Sequence, residues 1–214
     1  MNRGNKKEAV AALHREEIMK AAEALFTEKG YEQTTIDDIS KASQYSRRTL
    51  YAYYESKEDI LYHIIEKGLE TLKRKIDGAV NSSDDFISKY QRICMAMTVF
   101  QLEYPHSVNA VNRMNTSGYD FSSTSETVKH IFYLGTEINT ILSGFIEDGM
   151  KTGVVRKGVV PVLTVYVLWS SITALLAMIQ SKGKFICQQM SITEKELMEY
   201  GFRQVINSIL ETRI

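Results

Sequence analysis

The sequence predicts an all-α fold, and three observations support this. Apolar residues recur at spacings of three and four along most of the chain, as they do on one face of a helix. Proline, which interrupts helices, occurs only twice in 214 residues, whereas good helix formers are plentiful. We find no convincing strand pattern. We therefore expect an N-terminal domain of three short helices and a larger helical domain, with about nine helices in total.

Three short helices are predicted before residue 56, followed by one long helix. Their expected ranges are 13–29, 36–42, 47–54 and 57–80. Thr35 and Ser46 can cap the second and third helices, because a hydroxyl before the first turn accepts a hydrogen bond from a free backbone N–H. The residues before the first helix are expected to form a flexible basic arm. The predicted domains are residues 1–56, a connecting helix at 57–80, and a second domain at 81–214.

The second domain contains further helices, one of which has the composition of a membrane span. Helices are expected near 83–103, 126–151, 158–182 and 193–212. The segment from Val159 to Gln180 carries no charge, so its length and apolarity fit a transmembrane helix. However, several hydroxyl residues dilute it and no second span accompanies it. We therefore expect a helix buried on nearly all sides, in a domain core and a subunit interface, without a membrane.

Composition and spacing exclude several functional classes. Lys+Arg and Asp+Glu both number 26, so any DNA binding must depend on where the charges lie and not on bulk charge. The two cysteines predict reduced thiols in a cytoplasmic protein. The four histidines show no ligand spacing, so no metal and no cofactor is expected. No phosphate loop or nucleophile motif is present, and no enzyme activity is expected.

Residues 36–53 form two short helices joined by a tight turn, the arrangement of a helix-turn-helix. In that motif the second helix enters the major groove with its first residues toward the base edges. Here it opens with two arginines, which can each donate two hydrogen bonds to guanine, and a threonine, which can contact a thymine methyl. An exposed polar helix end is the alternative interpretation. The candidate DNA-contacting residues are Thr35, Ser46, Arg47, Arg48, Thr49, Tyr51, Tyr53 and Lys57.

Three motifs in this segment fall in register with one another. They are a Gly-aromatic-x-x-Thr-Thr start at Gly30, a Thr-Leu-Tyr at 49–51, and an aromatic-x-Ser-Lys-Glu junction at 54–58. Together they closely resemble the DNA-binding domain of the TetR family of transcription regulators. The resemblance runs without a gap from near Ile18 to Leu61. The overall chain length agrees with that family as well.

The chain departs from the family pattern at three positions. Gln44 stands where the family usually has a glycine in the turn, a position that often favours a left-handed backbone. Arg48 stands where a small residue is common, and Tyr45 replaces a small aliphatic residue. These departures leave the predicted fold intact, but they make the preferred operator sequence unpredictable.

The resemblance implies a ligand-responsive regulator that acts as a homodimer. The helices near 158–182 and 193–212 would pair with their copies, and the dimer would bind a palindromic operator in double-stranded DNA. As a repressor, it would release that operator when a small-molecule effector binds the second domain. The candidate pocket residues, taken from the apolar central helices, are Met95, Phe100, Met114, Tyr133, Ile141 and Trp169.

A second interpretation belongs to a different functional class. The chain could be a helical ligand-binding or membrane-associated protein whose helix-turn-helix does not bind DNA. Gln44 in the turn and the balanced charge favour it, whereas the presence of Arg47, Thr49, Tyr51 and Lys57 together favours a DNA-binding protein.

Overall fold

The computed structural model describes residues 3–108 and 124–213. Within these ranges the chain is helical, and the β-type pairing is limited to an isolated bridge between Val155 and Leu210. The all-α prediction is confirmed. A short helical segment at 105–108 accompanies eight longer helices. These are α1 (Arg3–Lys29), α2 (Ile36–Ser43), α3 (Arg47–Tyr51), α4 (Lys57–Val80), α5 (Phe86–Glu103), α6 (Glu126–Lys151), α7 (Pro161–Met190) and α8 (Glu194–Asn207).

The N-terminal arm differs from the prediction. α1 begins at Arg3, so the described residues before Leu13 are helical and not a flexible arm. The segment from Lys6 to Leu13 consists mainly of Lys, Glu, Ala and Leu, which have high helix propensity, and nothing in it interrupts a helix. The other end of α1 agrees with the prediction. Gly30 adopts a left-handed conformation, with φ of 87°, and its N–H bonds to the carbonyl of Phe26.

The chain divides into two compact units. Of the described residues, the first unit holds those up to Leu69 and those from Tyr104 to Ile131, and the second holds the rest. α4 therefore contributes to both units, whereas the sequence suggested a separate connecting helix. Apolar side chains from α1, α2, α3 and α4 pack together to form the core of the first unit. Its buried members are Ile18, Ala22, Phe26, Ile39, Leu50, Tyr54, Ile60 and Ile64.

The second unit consists of α5, α7, α8 and the parts of α4 and α6 that belong to it. Phe86 and Phe145 stack with their ring centroids 4.3 Å apart, and the buried Tyr90 donates from its hydroxyl to the carbonyl of Phe202 at 2.9 Å. Both contacts join helices that are distant in sequence. α7 is longer than predicted, because Gly183 is buried within it and does not end it. The helix instead ends at Ser191, which has a left-handed backbone.

The apolar surface of α7 is largely exposed in the single chain. Only 22% of its most apolar stretch is buried within the single chain, so the domain core supplies a small part of the expected burial, and the part expected in a subunit interface stays a prediction. In the described ranges, α7 is the one helix long and apolar enough to cross a membrane. A single such helix is weak evidence for a span, since core helices of soluble proteins have the same composition. The large exposed apolar residues of this region are Val160, Val162, Leu163, Tyr166, Val167, Phe185 and Met190.

Gln44 occupies a strained position in the turn between α2 and α3. It has φ of 60° and ψ of 17°, the left-handed region that the family's usual glycine would enter without cost. We expect Gln44→Gly to raise the free energy of unfolding by about 0.5–1 kcal/mol, after the extra entropy of glycine in the unfolded chain is subtracted. Chemical denaturation measures this change. Lys41→Gly, inside α2, is the matched control and should instead lose about 1 kcal/mol. An equal loss at both positions would contradict the strain argument.

Candidate nucleic-acid interface

The start of α2 is fixed by a capping box. The Thr35 hydroxyl accepts a hydrogen bond from the N–H of Asp38, and the Asp38 carboxylate accepts one from the N–H of Thr35 at 2.8 Å. Asp38 also forms an ion pair with Lys29 at 2.8 Å. Lys29 and the bonds from Thr35 together hold the pKa of Asp38 well below its usual range. Thr35, a predicted DNA contact, is exposed but already used as a cap.

The turn after α2 is held by side-chain bonds to the backbone. Ser40 donates from its hydroxyl to the carbonyl of Tyr45 at 2.6 Å. The Tyr45 hydroxyl donates to the Glu17 carboxylate on α1, which raises the pKa of Tyr45 to about 12. Ser46 caps α3, because its hydroxyl accepts from the N–H of Thr49 at 3.1 Å. The predicted caps are thus both present, and the turn is tied to α1.

α3 places two arginines and a tyrosine on the surface. It spans Arg47–Tyr51 and is therefore shorter than predicted. Leu50 is almost completely buried and anchors the helix in the core, while Arg47 and Arg48 are exposed and Tyr51 is 56% exposed. The side chain of Arg48 has no hydrogen bond or ion pair with the residues that the structure describes. A helix anchored by one apolar residue and polar on its open side can be presented to a groove.

Arg47 is paired with Asp37 in the first turn of α2. Its Nε and Nη2 atoms contact the two oxygens of the Asp37 carboxylate, as in a two-bond arginine–carboxylate pair. Both side chains remain largely open to solvent. Sequence analysis did not identify Asp37. The available signal was an acidic residue in the first turn of α2, 10 positions before Arg47, but only the fold shows that the two side chains meet.

Tyr53 follows α3 and contacts α1. Its hydroxyl lies 3.0 Å from Nδ1 of His14, within hydrogen-bonding distance, and the Arg15 guanidinium lies 5.4 Å from its ring centroid. The neighbouring Tyr54 is buried and donates to the carbonyl of Arg15 at 3.0 Å. Burial raises the pKa of Tyr54. Both tyrosines therefore join α1 to the segment that follows α3. Tyr53 is half-buried, so only part of its side chain is open to contact with a DNA phosphate.

The ammonium group of Lys57 binds the chain itself. Nζ donates to the carbonyls of Tyr31 and Thr34 at 2.8 and 2.9 Å, and it lies 4.2 Å from the centroid of the Tyr31 ring. These contacts join the start of α4 to the loop between α1 and α2. The sequence predicted that Lys57 binds DNA phosphate. The geometry gives it a second role, because the two carbonyls already occupy two of its three donors.

Lys57→Met separates these two roles. Because the substitution leaves two part-buried carbonyls without their cation, we expect the free energy of unfolding to fall by about 1–2 kcal/mol. The slope of the logarithm of DNA affinity against the logarithm of salt concentration should stay the same. If Lys57 instead neutralises a phosphate, the slope should fall by about one unit per lysine while stability changes little. Arg48→Gln is the control, since loss of an unpaired arginine should reduce the slope.

The predicted pocket residues do not come together. Met95 and Tyr133 are 58% and 59% exposed, Phe100 is buried, Ile141 is half-buried, and Met114 lies outside the described residues. Among the described members of the set, Trp169 alone lines a small apolar cavity of the second unit, which measures about 30 Å³. The other lining residues are Tyr90, Ile93, Met97, Leu142, Phe145, Ile146, Val165, Leu168 and Ile172.

Comparison with known proteins identifies the helix-turn-helix segment. Residues 18–64 match the family described as bacterial regulatory proteins, tetR family. The matched region covers the core, the capped α2, the turn and α3 as described above. It also agrees with the extent of the resemblance that the sequence motifs indicated.

Longer matches extend over most of the chain. The uncharacterized HTH-type transcriptional regulator YhgD of Bacillus subtilis (strain 168) is 27% identical over 159 residues, which cover 74% of this chain and 80% of YhgD. The solved structure of the TetR family regulator PfmR from Thermus thermophilus is 24% identical, with a TM-score of 0.67 over 91% of this chain and 99% of that one.

A third similar structure contains a ligand. It is the transcriptional regulator FadR from Bacillus subtilis in complex with stearoyl-CoA, 17% identical, with a TM-score of 0.66 over 90% of this chain and 98% of that one. At this identity the likeness shows a shared fold. The matches and the helix-turn-helix geometry agree: residues 18–64 form a DNA-binding domain of the kind found in the tetR family of bacterial regulatory proteins, and the chain is similar over most of its length to transcription regulators.

Proposed function

We propose that the chain is a cytoplasmic, homodimeric repressor that binds a palindromic operator and releases it when a small molecule binds the second unit. The observation that carries this proposal is the exposed side of α3. Arg47, Arg48 and Tyr51 lie on it, while Leu50 on the other side is buried in the core. A dimer bound over a promoter represses by excluding polymerase. The details of operator, effector and regulated genes follow from experiment.

Base readout is assigned to Arg47. An arginine at the start of the recognition helix can donate two hydrogen bonds to O6 and N7 of guanine, the commonest specific contact in the major groove. Arg48 and Tyr51 are assigned to phosphate oxygens, which position the protein and make its affinity depend on salt. Thr49 is half-buried and its hydroxyl already bonds to Ser46, so a methyl contact with thymine is the role left to it.

Dimerisation is assigned to the exposed apolar surface of α7 together with α8. Leu163 and Val167 are one helical turn apart and both 62% exposed, and Tyr200 of α8 is 56% exposed. Exposed apolar surface of this extent is typical of a site that another protein covers. For a two-fold dimer on such an operator we expect the two recognition helices to bind about 34–36 Å apart, the spacing of successive major grooves.

The effector is assigned to the apolar cavity beside Trp169. Its lining favours an apolar molecule, and the FadR structure with stearoyl-CoA supports such a ligand class for this fold. At about 30 Å³ the cavity is far smaller than the roughly 300 Å³ that a drug-sized molecule needs, so the lining helices must move apart on binding. α4 belongs to both units and can carry that movement. A 100-fold preference for the released state corresponds to about 2.7 kcal/mol.

Selection of bound fragments from genomic DNA of the encoding organism tests this proposal. The proposal predicts enrichment of an inverted repeat whose half-sites lie one helical turn apart. Binding to the enriched fragment should then weaken on addition of an apolar effector, and substitution of Trp169 by alanine should change that response more than DNA affinity itself. Enrichment of no common sequence would count against operator binding.

A further inference from the structure

We propose that Asp37 determines operator specificity by orienting Arg47 for guanine. The inference rests on the proposed function, in which Arg47 reads a base. Asp37 lies on α2, outside the recognition helix, and it is absent from the set of DNA-contacting residues that the sequence predicted. Its contribution is made through Arg47, so Asp37 is a positioning residue and not itself a base contact.

The geometry of the Asp37–Arg47 pair leaves one hydrogen-bonding edge of the guanidinium free. Asp37 takes the edge of Arg47 formed by Nε and Nη2. A guanidinium has five N–H groups in a rigid plane, so both hydrogens on Nη1 and one on Nη2 remain. One hydrogen on Nη1 and the remaining one on Nη2 are parallel and form the outer edge of the group. That edge has the spacing needed for two parallel bonds to O6 and N7 of one guanine.

The pair also reduces the entropy cost of recognition. The Arg47 side chain is 63% exposed, and without a partner it would occupy many rotamers that DNA binding must then restrict. Asp37 restricts them before DNA arrives. The carboxylate is itself placed on a fixed element, because the capping box of Thr35 and Asp38 holds the start of α2. A carboxylate in the first turn of a helix is also stabilised by the helix dipole.

The ion pair with Asp37 gives the two adjacent arginines different roles in DNA binding. The Asp37 charge balances that of Arg47, so this arginine adds little to the general attraction of the phosphate backbone. Arg48 has no ion pair among the described residues and keeps its full charge. Arg47 therefore supplies discrimination between sequences, whereas Arg48 supplies affinity for any duplex. If Asp37 instead only keeps Arg47 from binding DNA, removal of the carboxylate should raise operator affinity relative to scrambled DNA. Experiment distinguishes the two roles.

Affinities for the selected operator and for a scrambled duplex test the inference in the full-length protein. Asp37→Asn keeps the size of the side chain and removes its charge. We expect the ratio of the two affinities to fall about tenfold, while affinity for scrambled DNA stays constant or rises because one negative charge is lost. Asp37→Ser, which is well tolerated at the start of a helix, should give the same result and excludes an effect peculiar to asparagine.

Two further variants locate the effect. In Arg47→Ala protein, adding Asp37→Asn should leave the affinity ratio unchanged, because the residue that Asp37 orients is absent. Arg48→Gln should lower both affinities by the same factor. An unchanged or higher ratio in Asp37→Asn, with a reduced ratio in Arg47→Ala, would overturn the role of Asp37 alone. An unchanged ratio in Arg47→Ala would overturn the proposed base readout and this inference together.

Discussion

Arg47→Ala is expected to reduce operator affinity at least thirtyfold, about 2 kcal/mol over the two half-sites of a dimer. In the proposed readout the loss arises because each half-site guanine gives up two hydrogen bonds with Arg47. Affinity for scrambled DNA should change little, since Arg47 is already paired with Asp37. Fluorescence anisotropy with both duplexes measures the two effects.

Arg48→Ala is the matched control for this prediction. The two arginines are adjacent, equally long and both exposed, but only Arg47 has an ion-pair partner among the described residues. Arg48→Ala should weaken binding to both duplexes and reduce the salt dependence. If both alanine variants lose the same factor on both duplexes, α3 makes phosphate contacts only, and specificity must come from another part of the chain.

Leu163→Glu is expected to convert the proposed dimer to a monomer and to reduce operator affinity at least tenfold. The side chain is 62% exposed in the single chain, so the substitution should leave the fold and its melting temperature nearly unchanged. In a two-fold interface it places two carboxylates in an apolar contact without cationic partners, which is strongly unfavourable. Sedimentation equilibrium measures the mass, and anisotropy measures the loss of paired half-site binding.

Met95→Glu is the control for the interface. Met95 is also a large exposed apolar residue, at 58%, but it lies on α5 and not on the α7 surface. This variant should remain dimeric. A wild-type protein that sediments with membranes, and that Leu163→Glu releases, would instead support the membrane-associated interpretation of α7. A monomeric wild type that stays in solution would contradict both interpretations.

The helix-turn-helix was accessible from sequence because its signals are local. Gly30, Thr35 and Ser46 mark helix ends through bonds to residues at most four positions away, and such bonds leave a recognisable pattern. Gln44 adopts the left-handed backbone that its position in the motif predicted. The same local reasoning failed for the first residues, where strong helix propensity outweighed the charged composition that suggested an arm.

The partners of the site residues were not accessible in this way. Lys57 binds carbonyls more than twenty positions earlier, and Arg47 meets Asp37 across the turn, so both contacts depend on the folded arrangement. The choice of pocket residues, which stays a prediction, met a related limit. Helical spacing shows that Met95 and Tyr133 lie on apolar-rich helices, but it does not show which face of each helix meets the core.

The exposure of α7 shows a further limit of sequence reasoning. A helix without charges has the same composition whether its own chain, a second copy or a lipid bilayer covers it. Burial within the chain covers only part of the apolar surface of α7. Sedimentation of the wild type and of Leu163→Glu shows whether a second copy or a membrane covers the rest.

Sequence-specific binding by a dimer can be measured in a single titration. Purified protein is titrated against labelled DNA from immediately upstream of its own gene, at two salt concentrations and with scrambled competitor. We expect tight binding that resists the competitor, weakens steeply with salt, and saturates at two chains per operator. Equal affinity for the scrambled duplex, both with this DNA and with fragments selected from the genome, would contradict it and leave the helix-turn-helix with a structural role only.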